Sequence, residues 1–112
     1  MENKEISFTY EGANYTLAFN RKTVQTMSQA GFDPESVTKT PAIGIPALFK
    51  GAFMVHHRNI RSDLVEKIFD SIVNRQELMV KLLEMFYEPI KELMDDPEEV
   101  EEAKKVTWET NF

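Results

Sequence analysis

Residues 6–19 read Ile6-Ser7-Phe8-Thr9-Tyr10-Glu11-Gly12-Ala13-Asn14-Tyr15-Thr16-Leu17-Ala18-Phe19, and this stretch decides the N-terminal fold. Apolar and polar residues alternate on both sides of Glu11–Asn14, as they do in half-buried strands. Gly12 and Asn14 tolerate positive φ, so the segment between the strands has the chemistry of a tight turn. We predict a β-hairpin over about residues 4–19. An isolated hairpin is only marginally stable in water, so its apolar face must pack against the helices that follow.

The sequence changes to helical spacing after the hairpin. Asn20 is a good N-cap for a helix from about Arg21 to Ala30, and Gly31 stands where a left-handed residue ends a helix. Asp33-Pro34-Glu35 has the form of a second helix start. Pro41 stops that helix within about two turns, because the residue before a proline avoids the α conformation.

Prolines guide the interpretation of the middle of the chain. Residues 38–46 hold two prolines and a glycine, which predicts an irregular connection, and a helix is then expected over about residues 46–57. Ser62 is predicted to cap the next helix. Asn74 and Glu77 have the spacing of a capping box. A new helix can begin there, or one long helix can run through Asn74, and periodicity alone leaves both open.

A long apolar stripe follows Asn74 and predicts the buried face of the last large helix, which Pro89 should kink. Its members are Leu78, Met79, Leu82, Leu83, Phe86, Ile90, Leu93 and Met94. A short acidic helix is expected from Asp96 to about Lys105, and residues 106–112 then alternate like a strand.

The predicted fold class is α+β, helix-dominated, with an N-terminal β-hairpin followed by a bundle of four to five helices. The length of 112 residues fits one domain over residues 1–112. Its parts are the hairpin at about 4–19, a helical body at about 20–95, and an acidic C-terminal helix and tail at 96–112.

Charge and composition exclude several classes of function. The net charge is −6, and the whole excess lies after Tyr87, where nine acidic residues face three lysines. An acidic end repels phosphate backbones, so we expect no nucleic-acid binding. There is no cysteine, no apolar run long enough to span a membrane, and no signal-like start, so we expect a cytoplasmic protein without membrane contact. The acidic end either keeps the chain in solution or recruits a basic partner.

No motif for catalysis is visible. His56 and His57 form the only histidine pair, and adjacent helical residues point about 100° apart, so they cannot chelate one ion from the same face. The sequence has no nucleophile elbow and no phosphate-binding glycine loop. We therefore expect no catalytic residue, no metal site and no cofactor. The enzyme alternative would be a metal protein built around the two histidines.

Apolar side chains are the better candidates for function. Trp108 is the only tryptophan and stands near Phe112, and such a large apolar group must dock somewhere. It docks either in cis, as an extra strand beside the hairpin, or in trans on a partner. Together with apolar residues of the middle segment, these side chains make our set of partner-binding candidates: Ile43, Ile45, Phe49, Phe53, Trp108 and Phe112.

The two ends of the chain also resemble a known family. The segments Ile6-Ser7-Phe8-Thr9-Tyr10-Glu11-Gly12, Tyr15-Thr16-Leu17, Asn20-Arg21-Lys22-Thr23-Val24 and Val106-Thr107-Trp108-Glu109-Thr110-Asn111-Phe112 resemble tail assembly chaperones of long-tailed phages and Gram-positive prophages. We expect the nearest relatives to be grouped as a family of unknown function.

The resemblance implies a non-enzymatic role in the host cell cytoplasm. Such chaperones bind the tape-measure protein, a long helical chain, and help the tail-tube protein to polymerise around it. They often occur with a frameshifted longer form. For this chain we also expect self-association into a homo-oligomer. The resemblance carries no binding residue onto a position of this chain. The alternative is a small structural tail or connector component.

Overall fold

The computed structural model describes residues 4–95 and 104–112. The described chain confirms the α+β, helix-dominated class, with one antiparallel hairpin followed by helices. The elements in chain order are β1 (Glu5–Tyr10), β2 (Ala13–Ala18), α1 (Arg21–Gln29), α2 (Ser36–Lys39), α3 (Pro41–Gly51), α4 (Ser62–Ser71) and α5 (Arg75–Glu92). None of the described helices combines the length and the apolar character that crossing a membrane requires.

The hairpin forms where the alternation predicts it. Its register sets Glu5 opposite Ala18 and Tyr10 opposite Ala13. The turn is made by Glu11 and Gly12, which both have positive φ (48° and 82°), as a type I′ turn requires. Asn14 belongs to β2 and not to the turn, so that part of the prediction is wrong.

The outer edge of β2 is covered by the segment that follows α3. The Ala18 amide donates to the Ala52 carbonyl oxygen at 2.9 Å. The Thr16 amide donates to the Nε2 atom of His57 at 3.0 Å. The strand edge that would otherwise carry free amides is thereby joined to the helical body.

Both predicted ends of α1 are confirmed. The Asn20 side chain accepts the Thr23 amide at 2.8 Å, which satisfies one of the free donors of the first turn. The helix ends at Gln29, and Gly31 follows with a φ of 99°. A left-handed residue at that place ends a helix at little steric cost when it is glycine.

The expectations for the middle of the chain are corrected. Residues 41–46 are not irregular, because α3 already begins at Pro41 and contains Pro46 inside it. Pro41 occupies the first turn, where its missing amide costs nothing. Pro46 removes one helical hydrogen bond, and the burial of Leu48 and Phe49 on the same helix offsets that loss.

Asn74 separates two helices. It adopts the left-handed conformation, with φ 57° and ψ 44°, between the end of α4 and the start of α5. Of the two alternatives that periodicity leaves open, the structure shows the new helix and not the single long one. The Asn74 side chain makes no cap hydrogen bond, so the capping box is not formed. Ser62 is the first residue of α4 and Arg61 its N-cap, which moves that predicted cap by one residue.

The core lies between the hairpin, α1, α3 and α5. Phe53 contacts Phe8 and Tyr15 of the hairpin through edge-on ring packing at about 6 Å. Phe86 of α5 contacts Phe19 and Phe32 in the same way, with ring centres 5.4 and 5.2 Å apart. These aromatic pairs connect elements that are far apart in the sequence.

The predicted C-terminal elements are found only in part. Most of the acidic helix expected from Asp96 lies outside the described residues. Residues 105–112 have no regular secondary structure, and the only described sheet is the two-stranded hairpin. The strand expected there is therefore wrong, and Trp108 does not dock beside the hairpin.

Candidate protein-binding surface

The two histidines hold the hairpin against the helical body. His57 accepts the Thr16 amide through Nε2, so that nitrogen carries no proton in this arrangement. The His57 ring also packs against Tyr15. The Nε2 atom of His56 lies 2.7 Å from the Glu5 carboxylate. Each ring thus has a structural partner on a different strand of the hairpin.

Replacing His57 by phenylalanine is expected to lower the free energy of unfolding by about 1–2 kcal/mol, because a ring remains but the partly buried Thr16 amide loses its acceptor. His56→Ala is the control and should cost less than about 0.5 kcal/mol, since the pair with Glu5 is exposed. Urea unfolding followed by circular dichroism measures both. Equal effects of the two variants would contradict the assigned roles.

The described residues also contain no other cluster of side chains that could form a metal site. Across residues 4–95 and 104–112, no three His, Asp or Glu side chains converge in a way that could hold a metal ion. In the same part of the chain, every buried side-chain nitrogen or oxygen has a hydrogen-bond partner. No unpaired polar group there marks a substrate pocket.

Two of the predicted partner-binding residues belong to the core. Phe49 and Phe53 are 1% and 0% exposed. Phe49 packs on Phe53 and on Phe69, with ring centres 5.2 Å apart in both pairs. Their assignment as partner contacts is corrected, because the helical spacing that marked them as apolar does not distinguish a buried face from an open one.

The other four candidates lie in two separate places. Ile43 is 72% exposed near the start of α3, while Ile45 is half-buried against the core. Trp108 is 82% exposed, and Phe112 is also fully open to solvent. Nothing in the described structure brings Ile43 and the two aromatic residues into one site.

The chain as a whole matches one family. The description of that family is a domain of unknown function, DUF5055, and the match covers residues 1–112. The chain belongs to the DUF5055 family. No curated protein and no solved structure matches it significantly. The expectation of a family of unknown function is confirmed, and its part in tail assembly stays a prediction.

The DUF5055 chain has a groove between α3 and α4 with a volume of about 430 Å³. Phe49, Val65 and Phe69 supply its apolar walls, and Lys50 and Glu66 stand among its polar residues. The Lys50 ammonium donates to the Ser62 hydroxyl at 2.6 Å, so this cation is already engaged. The groove is open and has mixed polarity, which suits a peptide contact better than an enclosed small molecule.

Sequence reasoning missed an exposed apolar face on α5. We call it the outer stripe; its members are Val80, Leu83, Tyr87 and Ile90 on α5, and Met94 two residues past the end of that helix. Leu83 is half-buried, and the other four are exposed, Met94 by 87%. Ile90 and Met94 were expected in the core, and Leu93 is exposed as well, so their predicted burial is wrong. The sequence does carry a signal for this face, because its members are spaced alternately three and four residues apart and lie on a different side of the helix from the buried residues.

The buried face of this DUF5055 helix is formed by Met79, Leu82, Met85, Phe86 and Pro89. At about 100° per residue, the outer stripe lies about a third of the circumference away from it. Lys81, Glu84, Glu88 and Lys91 form the remaining side. The helix therefore presents one face to its own core and a second apolar face to solvent.

Proposed function

We propose that this DUF5055 protein is a non-enzymatic phage or prophage protein resembling tail assembly chaperones. It would hold a helical client, which the resemblance identifies as the tape-measure protein, with the tail-tube protein as a further partner. The observation that carries the proposal is the exposure of Trp108 and Phe112 on a segment without regular secondary structure.

The size of these two aromatic groups supports a binding role. A tryptophan or phenylalanine can bury about 150–250 Å² on a partner. Tryptophan is also among the residues that dominate measured binding energies at protein interfaces. The described body leaves both rings uncovered, so a partner chain could gain their full burial.

The surroundings of the aromatic residues fit a protein client. The excess negative charge lies after Tyr87, so it flanks them in the sequence. Acidic flanks disfavour nucleic acid and attract basic side chains of an amphipathic helix. Both histidines are engaged in structural contacts with the hairpin, His57 with the Thr16 amide and His56 with the Glu5 carboxylate.

The double variant Trp108→Ser/Phe112→Ser is expected to bind the client about 30-fold more weakly, the equivalent of about 2 kcal/mol. The test is co-expression with a tape-measure protein, the client that the resemblance implies, scored by the amount of client that remains in solution. Val73→Ser is the matched control, since Val73 is equally exposed but lies between α4 and α5.

Two outcomes would count against this function. Client solubility that does not change when the wild-type protein is added removes its main support. Finding the protein in finished tail particles would favour the alternative, a structural tail or connector component, because a chaperone leaves the assembled product.

A further inference from the structure

We propose that two copies of this chain associate through the outer stripe, with α5 of one copy packed antiparallel against α5 of the other. The stripe steps along α5 by three and four residues in alternation, from Val80 to Ile90, and the same step leads to Met94 just past the end of the helix. That spacing averages 3.5 residues and is the pattern of a helix-pairing seam. An isolated apolar side chain on the helix surface would show no such repeat.

The described body leaves most of the stripe uncovered; Leu83 alone is partly buried against the core. The hairpin, α1 and α3 pack toward the other apolar face of α5, which holds Leu82 and Phe86. Lys4 of the hairpin approaches Glu88, on the charged side. Val80 and Tyr87 remain exposed on α5, about two turns apart, and Met94 is exposed two residues past the end of the helix.

The charged residues beside the stripe favour a second copy of the chain as the partner, with its α5 running antiparallel. Glu84 and Lys91 follow Leu83 and Ile90 by one residue, so they flank the stripe on the same side. In an antiparallel pair centred on Tyr87, Leu83 faces Ile90 of the second copy and Val80 faces its Met94. Glu84 of each copy then lies beside Lys91 of the other, which gives two equivalent ion pairs.

A parallel pair lacks this match. In parallel packing, the position that Glu84 meets is the one just before Val80. That position is Met79, which is buried in its own core. Glu84 would then find no cation across the seam, so the charges favour the antiparallel dimer. Its two-fold symmetry is the commonest form of self-association.

The interface covers about two heptads, which is below the size of a standard stable interface, about 1,600 Å². We therefore expect a concentration-dependent dimer, detectable by sedimentation equilibrium of the full chain between about 10 µM and 1 mM. Tyr87→Glu, which introduces two facing charges at the seam centre, should weaken it at least about tenfold.

Charge-reversal variants test whether the partner is a second copy of the chain and whether the two α5 helices run antiparallel. E84K and K91E should each weaken the dimer by about five- to tenfold, because each creates two like-charge contacts. The double variant E84K/K91E should restore it, and an equal mixture of the two single variants should form a heterodimer. K81E is the matched control, since it makes the same charge change as K91E away from the stripe, and it should leave the dimer unchanged.

Several results would overturn the proposal. One is a chain that stays monomeric up to about 1 mM. Another is a dimer that the single reversals leave intact, or that the double reversal fails to rescue. If Trp108→Ser/Phe112→Ser dimerises where the wild type does not, the stripe is occupied by the chain's own C-terminal segment. Client binding is measured separately, so loss of the dimer and loss of the client are distinguishable.

Discussion

Phe53→Ala is expected to lower the free energy of unfolding by about 3–5 kcal/mol, the usual cost of removing a fully buried aromatic ring. The ring contacts Phe8, Tyr15 and Phe49, so its loss leaves a cavity where the hairpin meets the body. A domain of this size is stabilised by only about 5–15 kcal/mol, so the variant should unfold at much lower urea concentration. Chemical unfolding monitored by circular dichroism is the measurement.

Ile43→Ala is the control for this substitution. Ile43 was grouped with Phe53 as a partner contact, but it is exposed on α3 and should change stability by less than about 0.5 kcal/mol. A small effect of Phe53→Ala, or an equal effect of the two variants, would show that Phe53 is not a core residue.

Gly44→Ala is expected to destabilise the protein by about 3 kcal/mol, although alanine is the better helix former. A Cβ atom at Gly44 would collide with the backbone of Ser36, because α2 and α3 approach closely there. Backbone cannot rotate away as a side chain can, so the two helices must separate. Thermal unfolding of the variant tests this expectation.

Gly51→Ala is the matched control in the same helix. A Cβ atom there meets only the end of the Met27 side chain, which is flexible. The variant should be neutral, or more stable by up to about 1 kcal/mol through helix propensity. If Gly44→Ala is equally well tolerated, the close approach of α2 and α3 is wrong.

Local signals in the sequence were sufficient for the ends of short elements. Asn20 and Gly31 act through their own backbone and nearest neighbours, so the limits of α1 could be predicted. Pro46 could not be placed in the same way. A proline starts some helices and interrupts others, and only the burial of the surrounding α3 residues decides which applies.

The candidate binding surface is harder to predict from the sequence than the fold. Periodicity shows that a wide part of the α5 surface is apolar. It does not show how much of that surface is covered by other helices and strands of the chain. The spacing predicts Phe49 and Phe53 as partner contacts, but both are buried; it predicts Ile90 and Met94 as core residues, but both are exposed. In both cases the decision depends on tertiary packing, which is not encoded in the spacing of one segment.

The closure of the β2 edge has a consequence for synthesis on the ribosome. The Thr16 amide finds its acceptor 41 positions later, at His57. At about 5–20 residues per second, the growing chain needs roughly 2–8 s to supply that acceptor after the hairpin has been translated. During this interval the nascent hairpin keeps an open edge and an uncovered apolar side. Early contact with ribosome-associated factors would therefore protect the chain when it is most prone to pair with others.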